Sequence, residues 1–521
     1  MSDESGRHGD PFRLRRTQDD LWTFGPNKNG IDVPLILLYR TPPFLCHAMR
    51  TGQLDLDSPG CNGLNTQITQ TPHLLPSLLI HVAMLRYGHQ KTMCWRRLPI
   101  AMALLHGRFA GIAIILAAFA LSIGCSSNKV TLRTVPQNPL VDQLQLTSFY
   151  GPRPSGRTEQ LLRLHNLKYE PKTDPRPLIK RLQAYNNYDP RADRVYAMAE
   201  LAYLGGREAQ KYFKTVALDL YGASVLYSYL YLFDDRYAST RNPYDPQYRG
   251  ACDLYNSALE SGLRIICSSK ELVPGTTKTI ETAAGTWDIT CTLQGSRWRP
   301  QDFARFDFVS DFEVKGLKNH YLTHGLGVPL IAVRRSYKGE PAAAKYYPVD
   351  LSFPVTAFLR PLSGSDGQSA GDLSRKQGVL ELYDPLTTNE TMINRHLVPL
   401  ESDLTTPLAY FLSKPELDAL ATVGLLRPEA LLALRPDRPD PIMGLYMVQP
   451  YEPGKIPVIL VHGLWSSPMT WMEMFNDLRS SPEIRDRYQF WFYLYPTGQP
   501  FWLSAAQLRR DLAEMRQVVD P

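Results

Sequence analysis

Ser369 stands in the frame Gly367-Gln368-Ser369-Ala370-Gly371. A Gly-x-Ser-x-Gly spacing can present a hydroxyl at a strained strand-to-helix turn, where a neighbouring base activates it for nucleophilic attack. The residues before Gly367 read LSGSD and form no apolar strand, so this stretch reads as a solvated Gly/Ser loop. His324-Gly325-Leu326-Gly327 precedes an apolar run at residues 328–333 and reads as a turn into a strand. Asp234 with Asp235, and Asp311 with Glu313, have no histidine or cysteine at metal-ligand spacing and read as solvated charges. His165, His320 and His396 stand alone and read as packed or surface residues. The seven cysteines include no CxxC pair, which argues against a structural zinc site, and no cofactor motif is present.

The stretch with the strongest pattern is KIPVILVHG, residues 455–463. Val458, Ile459, Leu460 and Val461 form a continuous apolar run, as expected of a strand buried on both faces of a parallel sheet. A turn follows at Gly463-Leu464-Trp465. Ser467 then offers an N-cap and Pro468 a first helical position. A second strand is expected over residues 489–495 (QFWFYLY), closed by Pro496-Thr497-Gly498. A second helix is expected over 503–519, with Leu508, Leu512, Met515 and Val519 on one face. The order strand, helix, strand, helix is a βαβα unit.

The Val461-His462-Gly463-Leu464-Trp465 turn, with Pro468, Trp471 and the strand and helix that follow, resembles the opening half of an α/β-hydrolase of the lipase/esterase kind. The resemblance covers residues 444–521. It implies that Leu464 or Trp465 supplies a backbone N–H to the oxyanion of a tetrahedral intermediate, and that His462 and Gly463 shape the turn. It also implies a nucleophile elbow, an acid and a histidine further along. No Gly-x-Ser-x-Gly and no histidine follow His462 before Pro521, so no catalytic residue of a triad is expected within this chain and the domain reads as truncated. A half sheet of this kind is expected to leave an apolar strand edge uncovered.

Residues 109–124 (FAGIAIILAAFALSIG) carry no charge and follow Arg96, Arg97, His106 and Arg108. The run is short for a spanning helix and suits the apolar region of a signal peptide. With Leu121-Ser122-Ile123-Gly124-Cys125 at its end, it resembles a bacterial lipoprotein signal, which implies a lipid on the Cys125 thiol. An uncleaved membrane anchor and a buried helix are the alternatives. Residues 1–92 lack sustained periodicity and read as disordered or untranslated, with Met93 or Met102 as a start.

The chain has 521 residues, 44% of them hydrophobic and 21% charged, which suits several globular domains. Its 57 basic and 51 acidic residues leave +6, too thin a surplus for a nucleic-acid surface. The expected organisation is multidomain. Residues 1–92 are unassigned, 93–125 form the signal or anchor, and 126–156 form a linker. A helical domain spans 157–272, a β-rich domain, read as a sandwich or similar, spans 273–403, and a helical connector spans 404–443. The first half of an α/β-hydrolase domain, of parallel α/β type, spans 444–521. Among Cys252, Cys267 and Cys291 one disulfide is possible in an exported protein.

Two functions fit these readings. One is a membrane-tethered, exported serine esterase or lipase that takes an ester or lipid substrate, with its tether at residues 109–125. In it the aromatic run Trp491, Phe492, Tyr493, Tyr495, Phe501 and Trp502 could line an apolar entrance, although a core role fits that run as well. The other is a non-catalytic envelope lipoprotein carrying a degenerate hydrolase remnant.

Overall fold

The computed structural model describes residues 129–268, 272–283, 285–362, 375–433 and 441–519, together with the backbone of three strands nearer the N-terminus. Those strands are β1 (Arg15–Arg16), β2 (Trp22–Thr23) and β3 (Pro34–Tyr39). Residues 109–125 with Cys125, the starts at Met93 and Met102, and the Gly367–Gly371 frame lie outside the described residues.

A short strand, β4 (Val130–Leu132), leads into five helices. These are α1 (Gly156–Leu164), α2 (Arg176–Tyr188), α3 (Ala192–Ala209), α4 (Lys214–Phe233) and α5 (Pro246–Ser268). Helix α3 is buried from Val195 to Gly206, because alanine and glycine let its neighbours approach closely. A Cβ on Gly206 would lie 2.7 Å from the Tyr221 ring of α4. Glu200, fully buried on α3, accepts hydrogen bonds from the Ser155 N–H, from Ser155 Oγ at 2.8 Å and from Thr158 Oγ1 at 3.1 Å, which pins the start of α1. Burial pushes its carboxyl up to about 7 despite these donors. Helix α4 is long and apolar enough to cross a membrane. It is largely buried here, with Asp219 inside and Ser224 Oγ donating to the Ala199 carbonyl at 2.9 Å.

The β-rich stretch holds β5 (Thr277–Thr282), β6 (Gly285–Gln294), β7 (Phe303–Phe308), β8 (Phe312–Val314), β9 (Leu322–Thr323), β10 (Val328–Arg334), β11 (Ser352–Leu362) and β12 (Arg375–Tyr383). It continues through β13 (Glu390–Ile393), β14 (His396–Pro399) and β15 (Ser402–Asp403). Six strands form one sheet in the order β5-β6-β12-β11-β10-β7, in which β6 and β12 run parallel and the other pairs antiparallel. The result is a single mixed sheet and not a sandwich of two. Its central strands β10 and β11 are buried along nearly their whole length, a pattern that needs cover on both faces, and helices take part in supplying it. Tyr255 of α5 donates to the Leu359 carbonyl at 2.5 Å and accepts the Leu359 N–H at 3.0 Å, so helices and sheet share one core. Strand β7 stops at Phe308, and a 3-10 turn begins at Val309.

Two further expectations change here. Asp311 is not a solvated charge: it meets Arg264 at 2.9 and 3.0 Å, and that arginine also holds Glu260. Asp234 caps the turn after α4 and pairs with Arg236 at 2.7 Å. Cys252, Cys267 and Cys291 are free thiols rather than a disulfide pair and a remainder. Burial raises their thiols to about 12, 11 and 12.

The connector is helical as expected, with α6 (Thr405–Leu412), α7 (Pro415–Leu426) and α8 (Pro428–Leu432). Then come β16 (Gly444–Met447), β17 (Ile456–Val461), α9 (Met472–Ser480), α10 (Pro482–Arg487), β18 (Tyr488–Leu494) and α11 (Phe501–Val519). Strands β17 and β18 pair in parallel, Val461 opposite Tyr493, and β16 lies antiparallel on the outer side of β18. The other edge of β17 is not bare: β3 pairs with it in parallel, Val458 opposite Ile36 and Val461 opposite Tyr39. Ser467 caps a 3-10 turn at Pro468–Trp471 that leads into α9. Phe475 of α9 is buried against Phe490 and Phe492 of β18, at 5.5 and 5.2 Å between ring centres. The buried Arg479 guanidinium of α9 donates to the Leu404 carbonyl and ties this sheet to the start of α6.

Candidate functional site

Strand β17 ends at Val461, and the next four residues, His462, Gly463, Leu464 and Trp465, turn the chain at the carboxyl end of a parallel pair. That end is where open α/β sheets hold ligands. His462 is fully buried. Its ring stacks on Tyr495 with centres 4.4 Å apart, and Nε2 accepts the Tyr495 N–H at 3.3 Å. Nδ1 lies 3.1 Å from the Gly463 carbonyl, which places the proton of the neutral ring on Nδ1. The Tyr495 hydroxyl donates to the His462 carbonyl at 2.9 Å. Burial drives the imidazole down to about 4. His462 is therefore a neutral strut joining the ends of β17 and β18, and not a base facing solvent.

Leu464 and Trp465 face outward, 71% and 53% exposed. Trp465 has φ of +49°, a left-handed conformation uncommon for a side chain of its size. Among the described residues, no acceptor takes the backbone N–H of Leu464 or of Trp465. N–H groups around a left-handed residue can form a concavity that suits an anion. Trp491, Phe492 and Tyr493 are buried core residues of β18 and do not line an entrance. Phe501 and Trp502 are exposed at the start of α11, where the chain leaves the carboxyl end of β18.

The histidines resolve differently from one another. His165 stacks on Tyr185 and accepts from Arg194 Nε at 3.3 Å. His324 sits in a turn into β10, as expected, with Nδ1 3.5 Å from Glu401. His320 does not stand alone: Nε2 lies 2.8 Å from Asp403 Oδ2 and 3.3 Å from Thr406 Oγ1. Asp403 also accepts the Thr405 and Thr406 N–H groups at 2.8 and 2.7 Å, so it caps α6 while holding His320. Sequence reasoning missed this pair, although Asp403-Leu404-Thr405-Thr406 before a helical pattern is a capping signal. Among the described residues no group of three histidine, cysteine or acidic side chains could hold a metal ion. No protein-family model, curated protein or solved structure matches this chain.

Proposed function

We propose that the chain carries the oxyanion-donor part of a membrane-tethered, exported serine hydrolase of the α/β-hydrolase type, acting on ester or lipid substrates by acyl transfer. The observation that carries this reading is the turn after β17, where the Leu464 and Trp465 N–H groups have no protein acceptor among the described residues. Donors fixed in that way stabilise the charge that develops on a carbonyl oxygen under attack. The residues that follow the turn up to Pro521 include no Gly-x-Ser-x-Gly and no histidine, so the nucleophile elbow and the triad histidine would lie outside that stretch. They would have to meet the turn from the carboxyl side of the sheet.

A second reading, a non-catalytic envelope lipoprotein, draws support from β3. This strand occupies the edge of β17 in parallel register, next to the turn, where another strand would otherwise approach.

The deciding experiment is fluorophosphonate labelling of the native protein from a membrane fraction, combined with its intact mass. Labelling of a serine beyond Pro521, on a protein whose mass fits a lipidated Cys125 start, is the expected result. A native protein that resists the probe while intact and folded overturns the enzymatic reading and leaves the lipoprotein one.

A further inference from the structure

A cleft of about 670 Å³ opens between the end of α4, the first turns of α5 and the β13–β14 hairpin, far in sequence from the turn after β17. Its floor is apolar and buried, formed by Phe233, Leu326 and Val398 among others. Its rim is basic, with the half-buried Arg241 and the exposed Arg249, His324 and His396. The acid on its lining, Asp245, is engaged elsewhere: Arg157 grips both carboxylate oxygens at 2.5 and 2.6 Å, and Asp245 accepts the Gln247 N–H at the start of α5. Arg249 pairs with Asp253 at 2.9 Å, and His324 lies beside Glu401.

Arg241 differs from these. Its guanidinium donates to the carbonyls of Tyr231 at 2.8 Å and Asp234 at 3.4 Å, and it forms no ion pair among the described residues. Two carbonyls fix its position without cancelling its charge. A held cation above an apolar floor recognises a particular kind of molecule, one with an anionic head and an apolar body.

We propose that this cleft binds a small amphipathic anion, its carboxylate or phosphate held by Arg241 and its apolar part laid on Phe233, Val398 and the exposed Leu397. The proposal is independent of the acyl-transfer reading, since it uses none of the residues of that turn. The cleft has the size of a site for a molecule of ten or so carbons.

The test is calorimetric titration of the full chain with decanoate, decyl phosphate, decanol and inorganic phosphate. The first two separate a carboxylate from a phosphate head. The last two remove the head or the tail. Decanoate or decyl phosphate should bind at least roughly tenfold more tightly than decanol or inorganic phosphate, the equivalent of one charge-assisted bond. Arg241→Gln should remove that preference. Because Arg241 also supports main-chain carbonyls, Leu397→Asp on the exposed hairpin provides a second variant, and it should weaken the preferred anion by a similar factor. Equal binding of decanol and decanoate overturns the proposal, as does wild-type affinity in Leu397→Asp.

Discussion

His462 and Tyr495 hold each other through three contacts: a stacked ring pair, a main-chain N–H given to the imidazole, and a phenol hydroxyl returned to the histidine carbonyl. Removing only the last, in Tyr495→Phe, should cost about 1 kcal/mol of stability while the stack persists. His462→Ala removes the buried ring and both of its bonds and should cost about 3 kcal/mol. Urea unfolding midpoints of the two variants against the wild type check the ratio.

The same histidine makes stability depend on pH. Its folded value of about 4 lies below the ordinary 6.5, so the unfolded chain takes up the proton first as the solution is acidified. The contribution is full above pH 6.5 and is lost as pH falls through about 4, up to about 3 kcal/mol. Unfolding of His462→Gln, measured between pH 7.5 and 4, should lack this loss.

Glu200 works in the opposite direction. Its folded carboxyl is raised to about 7 from 4.5, so its stabilising protonation is complete below pH 4.5 and is lost as pH rises through 7. In the wild type the two residues offset one another over the same interval. Glu200→Gln should therefore show a steeper gain in stability between pH 4.5 and 7 than the wild type, by about 3 kcal/mol across the interval. Parallel unfolding series at four pH values would show the divergence, and parallel curves would refute it.

Two glycines of the helical region should respond oppositely to alanine. At Gly206 the new methyl meets the Tyr221 ring at 2.7 Å, a contact that costs about 2 kcal/mol if the ring is to move. At Gly262, inside α5, the nearest atom to the new methyl is Tyr221 Cβ, 4.0 Å away, and alanine should add about 0.5 kcal/mol through helix propensity. Thermal melts of the two variants suffice.

Trp465 supplies the last test. A left-handed φ of +49° costs an L-residue about 1 kcal/mol, so Trp465→Gly should melt at or slightly above the wild-type temperature. Trp465→Val, β-branched in the same conformation, should melt lower.

The C-terminal elements could be read from the chain because each signal there is local. The apolar run before His462, the Ser467-Pro468 start and the face containing Leu512 and Met515 each lie within a few residues, and β17, α9, β18 and α11 follow them. The mixed sheet was hidden for the opposite reason. Parallel pairing of β6 with β12 sets Arg375 opposite Thr286, and nothing within either strand announces a partner so distant. His320 and Asp403 were missed likewise, since a histidine and a capping aspartate carry separate local meanings until the fold brings them to 2.8 Å. At the candidate site, the turn itself was legible from its residues. The burial of His462 was not, because it depends on the ring of Tyr495 arriving from the next strand.

That β6–β12 pairing also bears on how the chain is made. During synthesis β6 emerges with β5 as a hairpin, and one of its edges has no partner until β12 has left the ribosome. Contacts of such separation form late and slow the search for the native state. Through that interval the open edge can recruit the wrong strand, from this chain or from another. The strands on the far side of that gap, β10 and β11, are translated before β12 and can pair with each other first. The nascent protein would then hold two half-sheets, joined into one only when β12 slots between β6 and β11 as a keystone.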